Sequence, residues 1–102
     1  MTTENPTTMT NVIGRHVAAY ADAENPGDFW FRPGYSDRVI MMLSYLCPQC
    51  GELRCVPISL SPATNRWDWD GEYDRPTLKP SIRQMDGCQW HGWLTKGIWV
   101  TA

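Results

Sequence analysis

Four residues at paired spacings carry the most legible chemistry in this chain: Cys47, Cys50, Cys88 and His91. Cys47-Pro48-Gln49-Cys50 wraps two thiols around a tight turn. Pro48 narrows the conformations of that turn, and Gly51 permits backbone geometry that a side chain would resist. Cys88-Gln89-Trp90-His91 repeats the spacing between Gly87 and Gly92. Two such half-sites make a shell of three sulfurs and one nitrogen, the usual composition of structural zinc. Soft thiolates with imidazole argue against magnesium or calcium. The stretch 51–87 between the half-sites is long enough for two or three short strands to leave one knuckle and return beside it. Four protein ligands close the zinc shell and leave no position for an activated water. The site therefore reads as a scaffold, and the chain as non-enzymatic.

Other uses of these residues fit less well. A redox Cys-x-x-Cys sits at a helix start in a βαβ setting, which this sequence lacks. Cys55, on the strand leaving the knuckle, would be carried about 15 Å away in extended chain and reads as a small buried hydrophobe. A shell with Cys55 in place of His91 stays open if the chain curls after Gly51. Cys88 through Trp93 is similar to the second half of a Rieske iron–sulfur site. A Rieske centre needs two histidines, and the chain has only His16 and His91. His16 reads as a surface or partly packed residue. The run Trp67 to Asp74 alternates aromatics with acids and reads as a solvated strand face, since the distal Glu of a calcium loop is missing. No Ser-centred elbow, phosphate loop or His/Asp pair stands out.

The elements that must position the four ligands are short and mostly β. The chain has 102 residues, 42% hydrophobic and 20% charged, which is the composition of one globular domain. The reading is a zinc-ribbon-like β domain over residues 11–102 behind a disordered tail at 1–10. Residues 11–25 are ambiguous: Ile13, Val17, Ala18, Tyr20 and Ala21 fit a short helix. Strands are expected at 29–31, stopped by Pro33-Gly34, then at 38–46 and at 53–60 with an edge or bulge at Pro57. Ser61 to Asn65 reads as a loop, Trp67 to Trp69 as a short strand, and the segment between Pro76 and Pro80 as extended. A terminal hairpin joins 90–94 to 98–101 through Lys96-Gly97. Across its turn Trp93 meets Val100 and Leu94 meets Trp99, so both faces are apolar. One layer of core buries only one face. Trp93, Leu94 and Trp99 are thus the candidate contact residues for a partner or a second copy.

Net charge is −2, which gives no general attraction to nucleic acid or anionic lipid. The longest apolar run, Val39 to Leu43, falls far short of the roughly 20 residues of a spanning helix. The opening MTTENPTTMT has no apolar signal core. The expected place is therefore the cytoplasm, where thiols stay free for metal.

Several segments together resemble a family of small uncharacterised zinc-binding proteins of phages and prophages, some labelled ammonia monooxygenase. They are Pro26-Gly27-Asp28-Phe29-Trp30, the Cys47/Cys50 knuckle, Leu60-Ser61-Pro62, Trp67, Pro76-Thr77-Leu78-Lys79-Pro80-Ser81-Ile82, Gly87-Cys88 through His91, and Gly97-Ile98-Trp99. The resemblance runs from about residue 26 to the C-terminus. It implies a phage protein in the bacterial host cytosol that acts by binding a host protein, such as a defence or transcription component. A nucleic-acid-binding zinc ribbon and a Rieske-like electron carrier are the competing expectations.

Overall fold

The computed structural model describes residues 11–36, 39–60 and 66–102. The expected tail at 1–10 and the expected loop at 61–65 lie outside the described residues. Among the described residues ten strands run in chain order: β1 (Asn11–Ile13), β2 (Arg15–His16), β3 (Asp28–Ser36), β4 (Val39–Leu46), β5 (Leu53–Ser59), β6 (Trp67–Trp69), β7 (Leu78–Lys79), β8 (Ile82–Arg83), β9 (His91–Thr95) and β10 (Ile98–Thr101). They form a four-stranded sheet, β1-β10-β9-β8, and a six-stranded sheet, β2-β3-β4-β5-β6-β7. The mostly β architecture matches the expectation from sequence.

Strand periodicity explains which residues face inward. Phe29, Leu43, Tyr45, Val56 and Ile58 alternate along β3, β4 and β5 and are buried together. The other sheet contributes Ile82, Leu94 and Trp99 to the same core. Tyr45 and Trp99 bridge the sheets with ring centroids 4.6 Å apart, and Trp90 meets Trp99 edge to face at 5.8 Å.

The terminal hairpin forms as expected, with Lys96 and Gly97 both at positive φ, the geometry of a two-residue turn. Its two faces separate sharply. Leu94 and Trp99 are fully buried, whereas Trp93 is 41% exposed. Leu94 and Trp99 are therefore core residues and not contact residues, because the six-stranded sheet covers their face.

The helix weighed for 11–25 does not form. Asn11–Ile13 pairs with β10, Arg15–His16 pairs with β3, and only Tyr20–Asp22 turns as a single 3₁₀ turn. The chain crosses from one sheet to the other at Gly14. A Cβ there would lie 2.7 Å from the Gly97 carbonyl oxygen, which accepts the Gly14 amide at 2.8 Å. No side chain fits so close an approach, and a helix cannot serve two sheets at once.

Behind that crossing, Asp28 is buried and anchors the N-terminal segment. Its carboxylate takes two bonds from Arg15, at 2.8 and 3.2 Å, and one each from the amides of Glu24 and Asn25. Burial opposes the charge, but these four donors outweigh it and hold the carboxyl below its ordinary range. A depressed native pKa contributes stability above the unfolded value, about 3.9, and loses it as pH falls through the native value. Asp28→Asn is expected to cost about 1–3 kcal/mol at pH 7, with the gap to wild type closing towards pH 3. Melting curves at the two pH values check this; an equal gap at both would refute it.

Candidate functional site

Ser81 occupies the two-residue link between β7 and β8, where the chain passes from the six-stranded to the four-stranded sheet. Its carbonyl oxygen accepts the Trp67 indole N–H at 3.2 Å, which fixes the backbone of the link. His91 opens β9, and β8 pairs with β9 so that Arg83 stands opposite His91. Ser81 lies two residues before Arg83, so its side chain shares their face. There Ser81 Oγ and His91 Nε2 are 3.1 Å apart. Both side chains are half-buried. A hydroxyl within hydrogen-bond reach of an imidazole nitrogen is the minimal arrangement of a nucleophile and its base.

Next to His91 a recess of about 220 Å³ is lined by Arg83, Gln84, Met85, Gln89 and His91. That is below the roughly 300 Å³ at which drug-sized pockets begin, so it suits a side chain better than a cofactor. Gly92, the next residue, admits no side chain. A Cβ would lie 2.2 Å from the Val100 carbonyl oxygen and 2.5 Å from the Trp90 ring. Gly92→Ala is expected to cost about 1–3 kcal/mol and to shift His91 away from Ser81. Thermal denaturation with histidine NMR reads both effects; an unchanged melting point would count against the close approach.

The thiols gather on the other side of this segment. Cys47, Cys50 and Cys88 have sulfurs all within 4.8 Å of one another. Cys47 follows directly on β4, and its amide and carbonyl are tied to Glu52 and Gly51 at 2.8 Å each, which closes the knuckle. Cys88 is presented by a turn in which Gly87 and Gln89 take positive φ. Arg54 pairs with Asp86 and Glu52, binding this turn to the start of β5.

The cluster fits a metal. The Cys47 and Cys88 sulfurs are 3.6 Å apart, far beyond a disulfide and close to the roughly 3.8 Å edge of a tetrahedron with metal–sulfur bonds of about 2.3 Å. Burial disfavours the Cys47 thiolate, but the backbone N–H groups of Cys50 and Gln49 donate to its sulfur and draw this thiol below its ordinary value. Desolvation and the neighbouring Cys50 and Cys47 sulfurs push Cys88 up to about 11. One thiolate thus resists the next, and a cation among them removes that opposition.

The four expected ligands therefore divide. The structure brings three cysteines together, while His91 Nε2 faces Ser81 Oγ. Cys55 is exposed on β5, opposite Ser44, and is not among the grouped sulfurs. His16 is a partly packed surface residue, as expected: it stacks on Phe29 and bonds Asp74 through Nδ1 at 2.9 Å.

A family model described as Bacterial ubiquitination-like system serine protease (BubE) matches residues 16–102. The chain belongs to the BubE family. Comparison with curated proteins and with solved structures returns no match. BubE membership corrects the expectation of a non-enzymatic chain, since the family is described as proteolytic. That expectation rested on counting His91 as a fourth zinc ligand, which closed the shell and left no position for an activated water. Ser81 was missed because it lies on no elbow motif. The available signal was its place inside Pro76–Ile82, one of the segments that carried the family resemblance, ahead of a histidine on the adjoining strand.

Proposed function

We propose that this chain is a serine peptidase, with Ser81 as nucleophile and His91 as general base, acting on bonds of a ubiquitin-like protein. The observation that carries the reading is the 3.1 Å approach of Ser81 Oγ to His91 Nε2 in a chain of the BubE family. The substrate class comes from the family's description alone.

The chemistry follows from the pair. His91 Nε2 takes the hydroxyl proton as Ser81 Oγ bonds to the scissile carbonyl carbon. The tetrahedral intermediate collapses when His91 returns that proton to the leaving nitrogen, and an ester to Ser81 remains. Water, deprotonated by His91, then attacks the ester and frees the serine. Among the described residues no carboxylate bonds His91, so the pair works as a dyad. Trp93 projects beside it, with ring centroids 6.0 Å apart, and supplies the apolar surface on which a substrate chain rests.

The metal in this reading is zinc, held by Cys47, Cys50 and Cys88. When bound, it supplies a cross-link between the β4–β5 knuckle and the turn before His91. The protein is proposed to work in the bacterial cytoplasm; among the described residues no helix is long and apolar enough to cross a membrane.

Labelling with a fluorophosphonate probe tests the dyad. Stoichiometric modification of Ser81, located by peptide mass spectrometry, is expected. An unlabelled, folded protein with no peptidase activity defeats the reading.

A further inference from the structure

We infer that Gln84 is the fourth metal ligand, coordinating through its side-chain carbonyl oxygen. This rests on the proposed metal at the three cysteines and says nothing about the peptidase chemistry.

Three sulfurs leave one vertex of a tetrahedron open, and zinc fills it with nitrogen, oxygen or water. Gln84 Oε1 lies 3.6 Å from the Cys47 sulfur and 3.7 Å from the Cys88 sulfur. A tetrahedron with metal–sulfur bonds of about 2.3 Å and a metal–oxygen bond of about 2.1 Å has an oxygen–sulfur edge of about 3.6 Å. The amide oxygen thus stands where a fourth ligand would stand with respect to two of the three thiols.

The rest of the side chain is arranged to keep it there. Gln84 is only 6% exposed, so its amide has little access to water and needs partners inside the protein. Its Nε2 donates to the Tyr45 hydroxyl at 3.2 Å. Tyr45 is fully buried, and its hydroxyl oxygen offers a lone pair to that N–H. The tyrosine ring is held in turn by Trp99 at 4.6 Å. With nitrogen turned to Tyr45, the amide oxygen faces the thiols. An outer partner that orients a metal ligand is the usual support of such a site. The backbone adds a second restraint, since the Gln84 amide donates to the Trp90 carbonyl at 2.9 Å.

The placement matters for the site next door. Gln84 follows directly on β8, three residues after Ser81, and Cys88 lies three residues before His91. With both ligated, the metal pins two interior points of the stretch whose ends are the nucleophile and the base.

Zinc affinity, measured by competition with a chromophoric chelator on the full chain, tests the assignment. Gln84→Leu is expected to weaken zinc about 10–100-fold, but loss of an outer hydrogen bond could do the same. Gln84→Glu separates the two roles. A carboxylate oxygen ligates at least as well as an amide, so affinity should stay within about threefold of wild type or improve. If the side chain instead donated N–H bonds to the thiolates, Glu would repel them and bind zinc as poorly as Leu, which overturns the proposal. X-ray absorption of the zinc-loaded protein should show three sulfurs and one light atom without imidazole scattering. Imidazole scattering, or a fourth sulfur, overturns it as well. Should wild type bind no zinc at all, the proposed metal centre and this assignment both fail, whereas normal zinc affinity in Gln84→Leu removes this assignment alone.

Discussion

Ser81→Ala is expected to leave a folded chain that cleaves its substrate about 10⁴-fold more slowly, or not measurably, and takes no fluorophosphonate label. The size follows from the role. A serine nucleophile and its histidine act as one unit, so removing either forfeits nearly all of the covalent pathway. For the same reason His91→Ala should cost about as much, and the double substitution little more than either single one. The fold should survive, because what anchors the link is the Ser81 carbonyl on the Trp67 indole, and alanine keeps that carbonyl. Turnover of a ubiquitin-like fusion, followed on a gel with melting points in parallel, gives the answer. Substantial cleavage by Ser81→Ala would place the nucleophile elsewhere, and additive losses in the double variant would separate the two residues' roles.

The second large effect concerns stability. Stripping the metal with a strong chelator, or making Cys47→Ser, is expected to lower the melting temperature by well over 10 °C. Structural zinc binds zinc-finger peptides with about 10–16 kcal/mol, as much as the 5–15 kcal/mol net stability of a whole domain. Cys47 is fully buried directly after β4, so the serine variant also leaves a polar group without its partner cation. Cys55→Ser is the control: this thiol is exposed and outside the cluster, and its loss should move the melting point by no more than a degree or two. Elemental analysis of freshly purified wild type should give one zinc per chain, and the sample should be colourless. Iron with acid-labile sulfide would restore the iron–sulfur alternative. A chelator-treated sample melting like the untreated one would remove the structural role.

How far the sequence could be read depended on whether a signal was local. The hairpin at Lys96-Gly97 and the Cys47–Cys50 knuckle are set by adjacent residues, and both are found where they were expected. The strands of the core were legible from runs of β-branched and aromatic residues, except that β3 continues through Pro33-Gly34, where a stop was expected, to Ser36. Residues 11–25 were not, because β1 and β2 are too short to show a period and owe their pairing to distant strands, β10 and β3. The site failed in an instructive way. Cys88-x-x-His91 has knuckle spacing, yet His91 does not turn with Cys88. Positive φ at Gly87 and Gln89 directs Cys88 to the other thiols, and extended geometry begins again at His91. The ring is then carried to the β8 side, where Ser81 waits. Spacing alone does not distinguish a histidine that stays in a turn from one that has already entered a strand.

The two crossings between sheets differ in what they carry. At Gly14 the crossing is a bare backbone, chosen for closeness. At Ser81 it is a functional group, tied on one side to β7 and on the other to β8, while its base belongs wholly to the four-stranded sheet. Any slippage of one sheet over the other is therefore read out at once as a change in the Oγ–Nε2 distance. For the proposed peptidase, alignment of the two sheets at this link is what sets the approach of nucleophile and base.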